Sequence, residues 1–235
     1  MHPSTAILFV HGILGKPDFF NFLLPEVPAG VHVRFITLKG HCASASEFGR
    51  ASMREWKTQV AEAVGELRAS FSRVLIVAHS MGTLFAIRQA ADGNVDGMLL
   101  LNPPLALHLS RRLFTNPLKV LFNRVRPDDV WATAARDACG VATDLNPLHY
   151  LRWPARYAEL FAEIHRTRPQ VSRIAVPTVV FYSAHDEMVS ARSAALFPAA
   201  STSLATLGQS GHYYYSPADK QKICEAFRSL LKKFG

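Results

Sequence analysis

Short apolar runs recur along this chain, and each of them ends at polar or turn-forming residues. These runs of five to eight residues are Ala6–Val10, Val31–Leu38, Val74–Ala78, Gly97–Leu101, Thr178–Tyr182 and Ser203–Leu207. Bounded apolar runs of this length are typical of strands that are buried on both faces of a sheet, whereas Val31–Leu38 only partly alternates and Ser203–Leu207 is a last short strand. The pattern therefore predicts about six strands.

The segments between these runs have a different periodicity. Met53–Phe71 places apolar side chains three, four and seven positions apart, which is typical of an amphipathic helix. Ser216 and Pro217 are a good N-cap and first residue for a last helix. Strands that alternate with helices favour a mainly parallel sheet covered by helices, so we predict an α/β fold.

The alternation stops between residues 103 and 171, where no run has the pattern of a buried strand. Leu105–Val125 is rich in Leu, Phe and Val and contains basic but no acidic residues, and Leu145–Arg168 predicts one or two helices broken at Pro154. We therefore predict a helical cap at residues 103–171, inserted after the fourth strand. Its apolar and basic surface suits acyl chains or an anionic lipid surface. The alternative is an insertion that only packs on the core, with solvated arginines.

Composition limits the classes of function. The chain has 235 residues, 49% hydrophobic and 19% charged, which suits one globular domain over residues 1–235. Its formal net charge of +8 is compatible with an anionic partner, but no nucleic-acid-binding motif accompanies it, so we expect no nucleic acid. The three cysteines are widely separated and lack C-x-x-C spacing, which argues against a zinc site and a disulfide framework. Nothing in the sequence predicts an oligomeric state.

Targeting and cofactor motifs are also informative. The first apolar run is too short for a secretory signal, and no stretch reaches the roughly 18 apolar residues of a membrane span. We therefore expect a cytoplasmic protein. The chain contains neither G-x-G-x-x-G nor G-x-x-x-x-G-K-[ST], so we expect no nucleotide cofactor. We expect no other cofactor and no metal.

The third predicted strand leads directly into Ala78-His79-Ser80-Met81-Gly82. A serine on a sharp turn between a strand and a helix projects its hydroxyl above the sheet, and the turn requires small residues two positions on either side. Ala78 and Gly82 meet that requirement, so the pattern predicts that Ser80 is a nucleophile. The alternative is that Ser80 only caps the helix that follows.

Asp186 and His212 each follow the end of a predicted strand. Because the carboxyl ends of parallel strands meet at one edge of a sheet, we expect both side chains close to Ser80. An imidazole can accept the serine proton and a carboxylate can fix the imidazole, so the three residues form a candidate triad in the chain order Ser, acid, His. Glu187 is a rival acid, and each residue taken alone is compatible with an ordinary loop position.

The motifs together resemble the α/β-hydrolase family, and they are most similar to small bacterial carboxylesterases and monoacylglycerol-lipase-like enzymes. The matching segments are His11–Gly15, Lys39–His41, Ala78–Gly82, His185–Val189 and Ser210–His212. The resemblance implies an oxyanion hole formed by the backbone N–H groups of Ile13 and Met81. Two features depart from the family pattern: Ala78 replaces the first glycine of the turn, and the leading hairpin strands of many relatives are missing.

By this resemblance the chain is a serine hydrolase that cleaves small-molecule carboxylic esters, with an apolar acyl group, through an acyl-enzyme. The same triad also serves thioester or amide hydrolysis, acyl transfer and carbon–carbon cleavage, and the fold does not distinguish these reactions. A second alternative is a non-catalytic module that binds a lipid or an anion through the basic cap.

Overall fold

Six parallel strands form the central sheet of the chain, which a computed structural model describes over residues 4–108, 110–122 and 124–234. Residues 1–3, 109, 123 and 235 lie outside this description, as do the side chains of residues 113, 114, 116 and 117. The strands are Thr5–Val10 (β1), His32–Ile36 (β2), Ala43–Ser44 (β3), Arg73–His79 (β4), Gly97–Leu101 (β5), Val141–Ala142 (β6), Thr178–Ser183 (β7) and Thr202–Leu207 (β8). The sheet order is β2-β1-β4-β5-β7-β8, and β3 pairs separately with β6. The predicted α/β fold with six sheet strands is confirmed.

Helices fill the connections between the strands in the described part of the chain. The α-helices are Ala45–Arg50 (α1), Met53–Ser70 (α2), Met81–Ala91 (α3), Arg111–Leu121 (α4), Val130–Ala138 (α5), Trp153–Thr167 (α6) and Pro217–Lys232 (α7). Short 3-10 helices are Pro17–Glu26, Pro147–Tyr150, Arg168–Arg173 and Ala191–Leu196. The Ser216 hydroxyl accepts the N–H of Asp219 at 3.2 Å, which is the expected N-cap of α7. None of the helices in the described ranges is long and apolar enough to cross a bilayer.

Two separate cores lie on the two faces of the sheet. Along β4, Val74, Ile76 and Ala78 pack into one core, whereas Leu75 and Val77 pack into the other. This alternation follows from the two-residue period of a strand, and it explains why the sequence of a doubly covered strand is apolar throughout. Helices α2, α3 and α6 contribute to the first core, and α7 with the 3-10 helix Pro17–Glu26 covers the second.

The insertion between β5 and β7 is tied to the body of the fold by polar contacts. The Gly140 N–H donates to the carbonyl of Leu14 at 2.7 Å, and the Trp153 indole N–H donates to the carbonyl of Ala45 at 2.8 Å. The buried carboxylate of Glu163 on α6 pairs with the Lys57 ammonium on α2 at 2.8 Å. These bonds fix how the insertion lies against the loop after β1 and against helices α1 and α2.

The insertion differs from its prediction in two details. The two-residue strand β6 was not expected there, because a strand of that length leaves no periodicity in the sequence. Pro154 does not break a helix: it lies in the first turn of α6, where the missing N–H costs no helical hydrogen bond. Whether residues 103–171 act as a cap stays a prediction.

The strand register brings the candidate residues to one edge of the sheet. Val10 at the end of β1 is level with Ala78 on β4, and Leu101 at the end of β5 is level with His79 and Phe181 on its two neighbours. The loops that follow these ends therefore emerge side by side, at the edge where ligands bind in open α/β sheets.

Candidate active site

Ser80 sits at the turn between β4 and α3 in a strained backbone conformation. Its φ is 50° and its ψ is −124°, a combination that costs a non-glycine residue about 1–3 kcal/mol. The strain is held by neighbouring bonds, because the Ser80 N–H donates to the carbonyl of Leu101 at 2.9 Å and the Thr83 hydroxyl donates to the carbonyl of Ser80 at 2.6 Å. This arrangement differs from a helix cap, since the Ser80 side chain makes no capping bond.

The small residues around this turn have separate steric causes. A Cβ on Gly12 would lie 2.8 Å from the Cβ of Ser80, so the loop after β1 needs glycine to approach the serine. A Cβ on Gly82 would overlap the carbonyl oxygen of Val10. The methyl group of Ala78 points into the core and is fully buried. The departure from glycine at position 78 is therefore accommodated by the strand.

His212 joins the other two residues of the candidate triad. Its Nε2 lies 3.0 Å from the Ser80 hydroxyl oxygen, and its Nδ1 lies 2.8 Å from Oδ2 of Asp186. The His212 side chain is completely buried, and Ser80 is 4% exposed. Because a carboxylate only accepts, Nδ1 carries the proton and Nε2 is free to accept from the serine hydroxyl.

Asp186 is oriented by its own loop. Its second carboxylate oxygen, Oδ1, accepts the backbone N–H groups of Met188 at 2.9 Å and Val189 at 2.7 Å. These two bonds leave Oδ2 directed at His212. The carboxylate is thus fixed by backbone donors on one side and by the imidazole on the other.

Glu187, the rival acid, has a different partner. Its Oε2 accepts the backbone N–H of His212 at 2.7 Å, and the carboxylate is buried. The geometry therefore assigns the imidazole of His212 to Asp186 and the peptide N–H of His212 to Glu187. The sequence contained both acids but no signal that separates a bond to the ring from a bond to the backbone.

The two carboxylates determine the basicity of His212. Burial alone lowers the pKa of a histidine, but the charge and hydrogen bond of Asp186, together with the charge of Glu187, outweigh burial and raise the pKa of His212 above 6.5. A pKa raised in this way makes the imidazole a stronger base than a free histidine.

Two further polar residues in this region were not singled out in the sequence. His79 is buried, and its Nε2 lies 3.0 Å from the carbonyl oxygen of His212. Asn102, with a φ of 50°, donates to the carbonyl of Gly211 at 3.3 Å and accepts the Ser183 N–H at 2.8 Å. Asn102 thus ties the loop after β8 to the end of β7. Its only sequence signal is an asparagine directly after a strand, since asparagine tolerates positive φ.

The loop after β1 is held by a histidine of defined tautomer. The Leu38 N–H donates to Nε2 of His11 at 3.1 Å, so Nδ1 carries the proton and donates to the carbonyl of Gly12 at 2.8 Å. The left-handed residue of this loop is Leu14, with a φ of 57°, rather than either of its glycines. His41 lies outside the candidate triad and packs against His11, with ring centroids 4.7 Å apart.

Ile13 and Met81, the predicted oxyanion-hole residues, lie on the two sides of the Ser80 turn. Met81 is the first residue of α3, where a backbone N–H has no intrahelical acceptor. Ile13 follows Gly12, the residue that approaches the Ser80 side chain. Their role as an oxyanion hole remains a prediction.

Residues of the insertion contact the acid side of this region. Trp131 of α5 lies against Gly211, where an added Cβ would overlap the indole ring, and the Arg112 guanidinium stacks 4.4 Å from the indole centroid. A cavity of about 280 Å³ is lined by Ser110, Arg111, Arg112, His185, Asp186 and Glu187. No group of three or more His, Cys, Asp or Glu residues within the described ranges is placed to hold a metal ion.

Comparison with known proteins identifies the family of the chain. The model of a family described as "Alpha/beta hydrolase family" matches residues 7–225. Comparison with curated protein sequences gives no match.

Solved structures share the whole fold at low sequence identity. A structure of the metagenome-derived lipolytic enzymes LipS and LipT is 19% identical, has a TM-score of 0.73, and is matched over 99% of this chain and 95% of that chain. The monoacylglycerol lipase of Paleococcus ferrophilus is 16% identical, with a TM-score of 0.70 and coverage of 100% and 97%. A soluble variant of the monoglyceride lipase of Saccharomyces cerevisiae is 14% identical, with a TM-score of 0.70 and coverage of 99% and 88%. At these identities the likeness concerns the fold.

Proposed function

The chain belongs to the alpha/beta hydrolase family, and we propose that it is a serine-dependent carboxylic ester hydrolase with Ser80, His212 and Asp186 as its catalytic triad. The observation that carries this proposal is the position of the His212 imidazole. Its Nε2 is 3.0 Å from the Ser80 hydroxyl and its Nδ1 is 2.8 Å from the Asp186 carboxylate. A buried imidazole bonded to both groups is the arrangement that activates a serine hydroxyl.

In the first half of the reaction the enzyme is acylated. His212 accepts the proton of the Ser80 hydroxyl while Oγ attacks the ester carbonyl, and the Asp186 carboxylate stabilises the imidazolium that forms. The backbone N–H groups of Ile13 and Met81 bind the oxyanion of the tetrahedral intermediate. His212 then gives its proton to the leaving alcohol, so the C–O bond breaks and an acyl-Ser80 ester remains.

In the second half water releases the acid. His212 removes a proton from a water molecule, which attacks the acyl carbonyl, and a second tetrahedral intermediate collapses when His212 protonates Oγ of Ser80. The carboxylic acid leaves and the enzyme returns to its starting state. The same imidazole serves as base and acid in both halves, which requires that its Nε2 keeps its direction toward Ser80 throughout.

The substrate class we propose is an ester with an apolar acyl group. Exposed apolar side chains cluster on the insertion, where Leu145, Leu148 and Leu151 are 71%, 67% and 72% exposed. Arg152 directly follows Leu151, and Arg156 lies further along α6. This surface suits a weak contact with an anionic lipid layer. Two of the structural neighbours are named as lipolytic enzymes and as a monoacylglycerol lipase, which supports a lipid-like ester.

The test is a chain-length series of p-nitrophenyl esters with wild type, Ser80→Ala and the matched control Ser72→Ala. Ser72 is exposed and its hydroxyl donates only to the Ser4 carbonyl among the described bonds. We expect Ser80→Ala to lose activity by more than about 10,000-fold and Ser72→Ala to match wild type. Wild-type activity in Ser80→Ala would refute the mechanism. Matched thioesters and amides, ranked by kcat/KM, test whether the same triad prefers another acyl compound.

A further inference from the structure

The backbone of His212 is held on both sides by buried side chains outside the candidate triad. On one side, its N–H donates to Oε2 of Glu187 at 2.7 Å. On the other side, its carbonyl oxygen lies 3.0 Å from Nε2 of His79. Both side chains are buried and polar, so each needs a hydrogen-bond partner, and both find it on the backbone of this one loop residue.

The protonation state of His79 follows from its partner. A carbonyl oxygen only accepts, so Nε2 of His79 carries the proton and donates it. Burial, followed by the charge of His212, holds the pKa of His79 well below its ordinary value, which keeps its imidazole neutral. His79 therefore acts as a fixed donor.

We propose that Glu187 and His79 are positioning residues that clamp the peptide groups of His212 and thereby fix the direction of its imidazole toward Ser80. The effect of the clamp on catalysis rests on the proposed function, whereas the clamp itself does not depend on it. When the backbone of His212 is fixed on both sides, only its side-chain χ angles remain free, and the hydrogen bond to Asp186 fixes these angles. A misplacement of about 1 Å at such a base can cost about 100-fold in rate.

Glu187 has a second effect through its charge. Among the titratable groups that face His212 are Asp186, Glu187, His79 and Tyr213. Burial raises the pKa of Tyr213 and burial lowers the pKa of His79, so both stay neutral and the two carboxylates supply the negative charge. Removal of the Glu187 charge therefore lowers the pKa of His212 without removal of Asp186.

Two substitutions at Glu187 separate the charge from the hydrogen bond. Glu187→Gln keeps an acceptor oxygen and removes the charge, so the midpoint of the acidic limb of kcat/KM moves to lower pH while most of the plateau activity remains. Glu187→Ala removes both the charge and the acceptor, so the midpoint moves as in Glu187→Gln and the plateau kcat also falls about 10- to 100-fold with little change in KM. Glu163→Gln is the matched control, because Glu163 is also a buried carboxylate and pairs with Lys57. We expect it to lower stability and leave the pH profile in place.

Two substitutions test His79 in the same way. Leucine at position 79 removes the donor, and we expect His79→Leu to lower kcat about 10- to 100-fold with little change in KM. Glutamine places an amide N–H near the position of Nε2, so His79→Gln should recover most of that loss. A residue that only fills space would give equal effects for Leu and Gln.

Hydrogen exchange at the His212 amide tests the clamp without any substrate. We expect this amide to be protected in wild type and in Glu187→Gln, and to exchange faster in Glu187→Ala and His79→Leu. An unprotected wild-type amide, or equal exchange in all variants, would overturn the clamp whether or not the protein hydrolyses esters. Absence of ester hydrolysis in wild type, with the exchange pattern as expected, would overturn the proposed function and keep the clamp.

Discussion

Gly82 stands directly against the backbone of the loop that follows β1: a Cβ at this position would lie 2.7 Å from the carbonyl oxygen of His11. The first turn of α3 therefore contacts the end of β1, and the loop Gly12–Ile13 packs directly against the Ser80 turn. This contact explains why a small residue is needed two positions after the serine. Glycine has only a hydrogen atom in place of Cβ, and this lets the loop that contains Ile13 lie close to the turn that contains Met81. The relative position of the two predicted oxyanion donors therefore depends on glycine at position 82.

We expect Gly82→Ala to abolish activity or folding. The added methyl group would overlap backbone rather than a flexible side chain, so β1 and α3 must separate. Gly65→Ala is the control, because Gly65 lies in α2 with open space around its Cα, and there alanine should stabilise the helix by about 0.5–1 kcal/mol. Thermal unfolding and ester hydrolysis of both variants check the prediction, and an active, stable Gly82→Ala protein would contradict it.

The pH dependence of the reaction follows from the raised pKa of His212. The base form of His212 is lost as pH falls through its pKa, so the acidic limb of kcat/KM should have its midpoint above 6.5. Asp186→Asn removes the larger of the two carboxylate effects and allows the wrong tautomer, so we expect a loss on the order of 10,000-fold in kcat. Initial rates from pH 5 to 9 test both statements. A wild-type midpoint clearly below 6.5 would contradict the first of them.

The pair of buried histidines near the first loop should make the fold sensitive to acid. Burial lowers the pKa of His11 to about 4 and that of His41 to about 3. Between these values and 6.5, the unfolded chain therefore binds protons on these histidines, whereas the folded chain does not. The free energy of unfolding therefore falls as pH decreases from about 6.5 toward 4.

His41→Phe tests this acid sensitivity. The His41 ring packs against Phe48 and Trp56, so phenylalanine can replace it. The substitution removes the bond from His41 Nδ1 to the Leu38 carbonyl at 3.2 Å, but that carbonyl still accepts the backbone N–H of residue 41 at 2.9 Å. We expect the slope of unfolding free energy against pH to decrease by about one proton in this window. Urea titrations at a series of pH values measure the slope, and an unchanged slope would show that His41 is not the group responsible.

The exposed leucines of the insertion should contribute to activity on aggregated substrate. In the double variant Leu148→Glu, Leu151→Glu, two exposed apolar groups become anionic, so contact with an anionic lipid layer is weakened. We expect the ratio of activity on an emulsified long-chain ester to activity on a soluble short ester to fall. Leu204→Glu is the control, because Leu204 is 46% exposed on β8, away from the insertion. An equal ratio for all three proteins would exclude an interfacial role for these leucines.

The strands and the candidate triad follow from the sequence for a common reason. The buried strands β1, β4, β5 and β7 are mostly apolar, and the carboxyl ends of all the parallel strands, including the exposed edge strand β8, meet at one edge. Ser80, Asp186 and His212 can therefore be placed without knowledge of contacts. The partners of these residues cannot be placed in this way. Glu187 is adjacent to Asp186 in the chain, and only the path of the loop directs one carboxylate to the ring and the other to the peptide. His79 is likewise an ordinary residue in the sequence, and its function depends on a residue 133 positions later.

The most direct test of the account is active-site labelling with a fluorophosphonate probe, followed by intact mass and peptide mapping, on wild type and Ser80→Ala. An activated serine attacks the phosphorus and displaces fluoride, so we predict one stoichiometric adduct on Ser80 in wild type and none in the variant. A short, soluble probe is used so that the insertion does not limit access. No adduct on wild type, or an equal adduct on Ser80→Ala, would contradict the claim that Ser80 is the nucleophile of this protein.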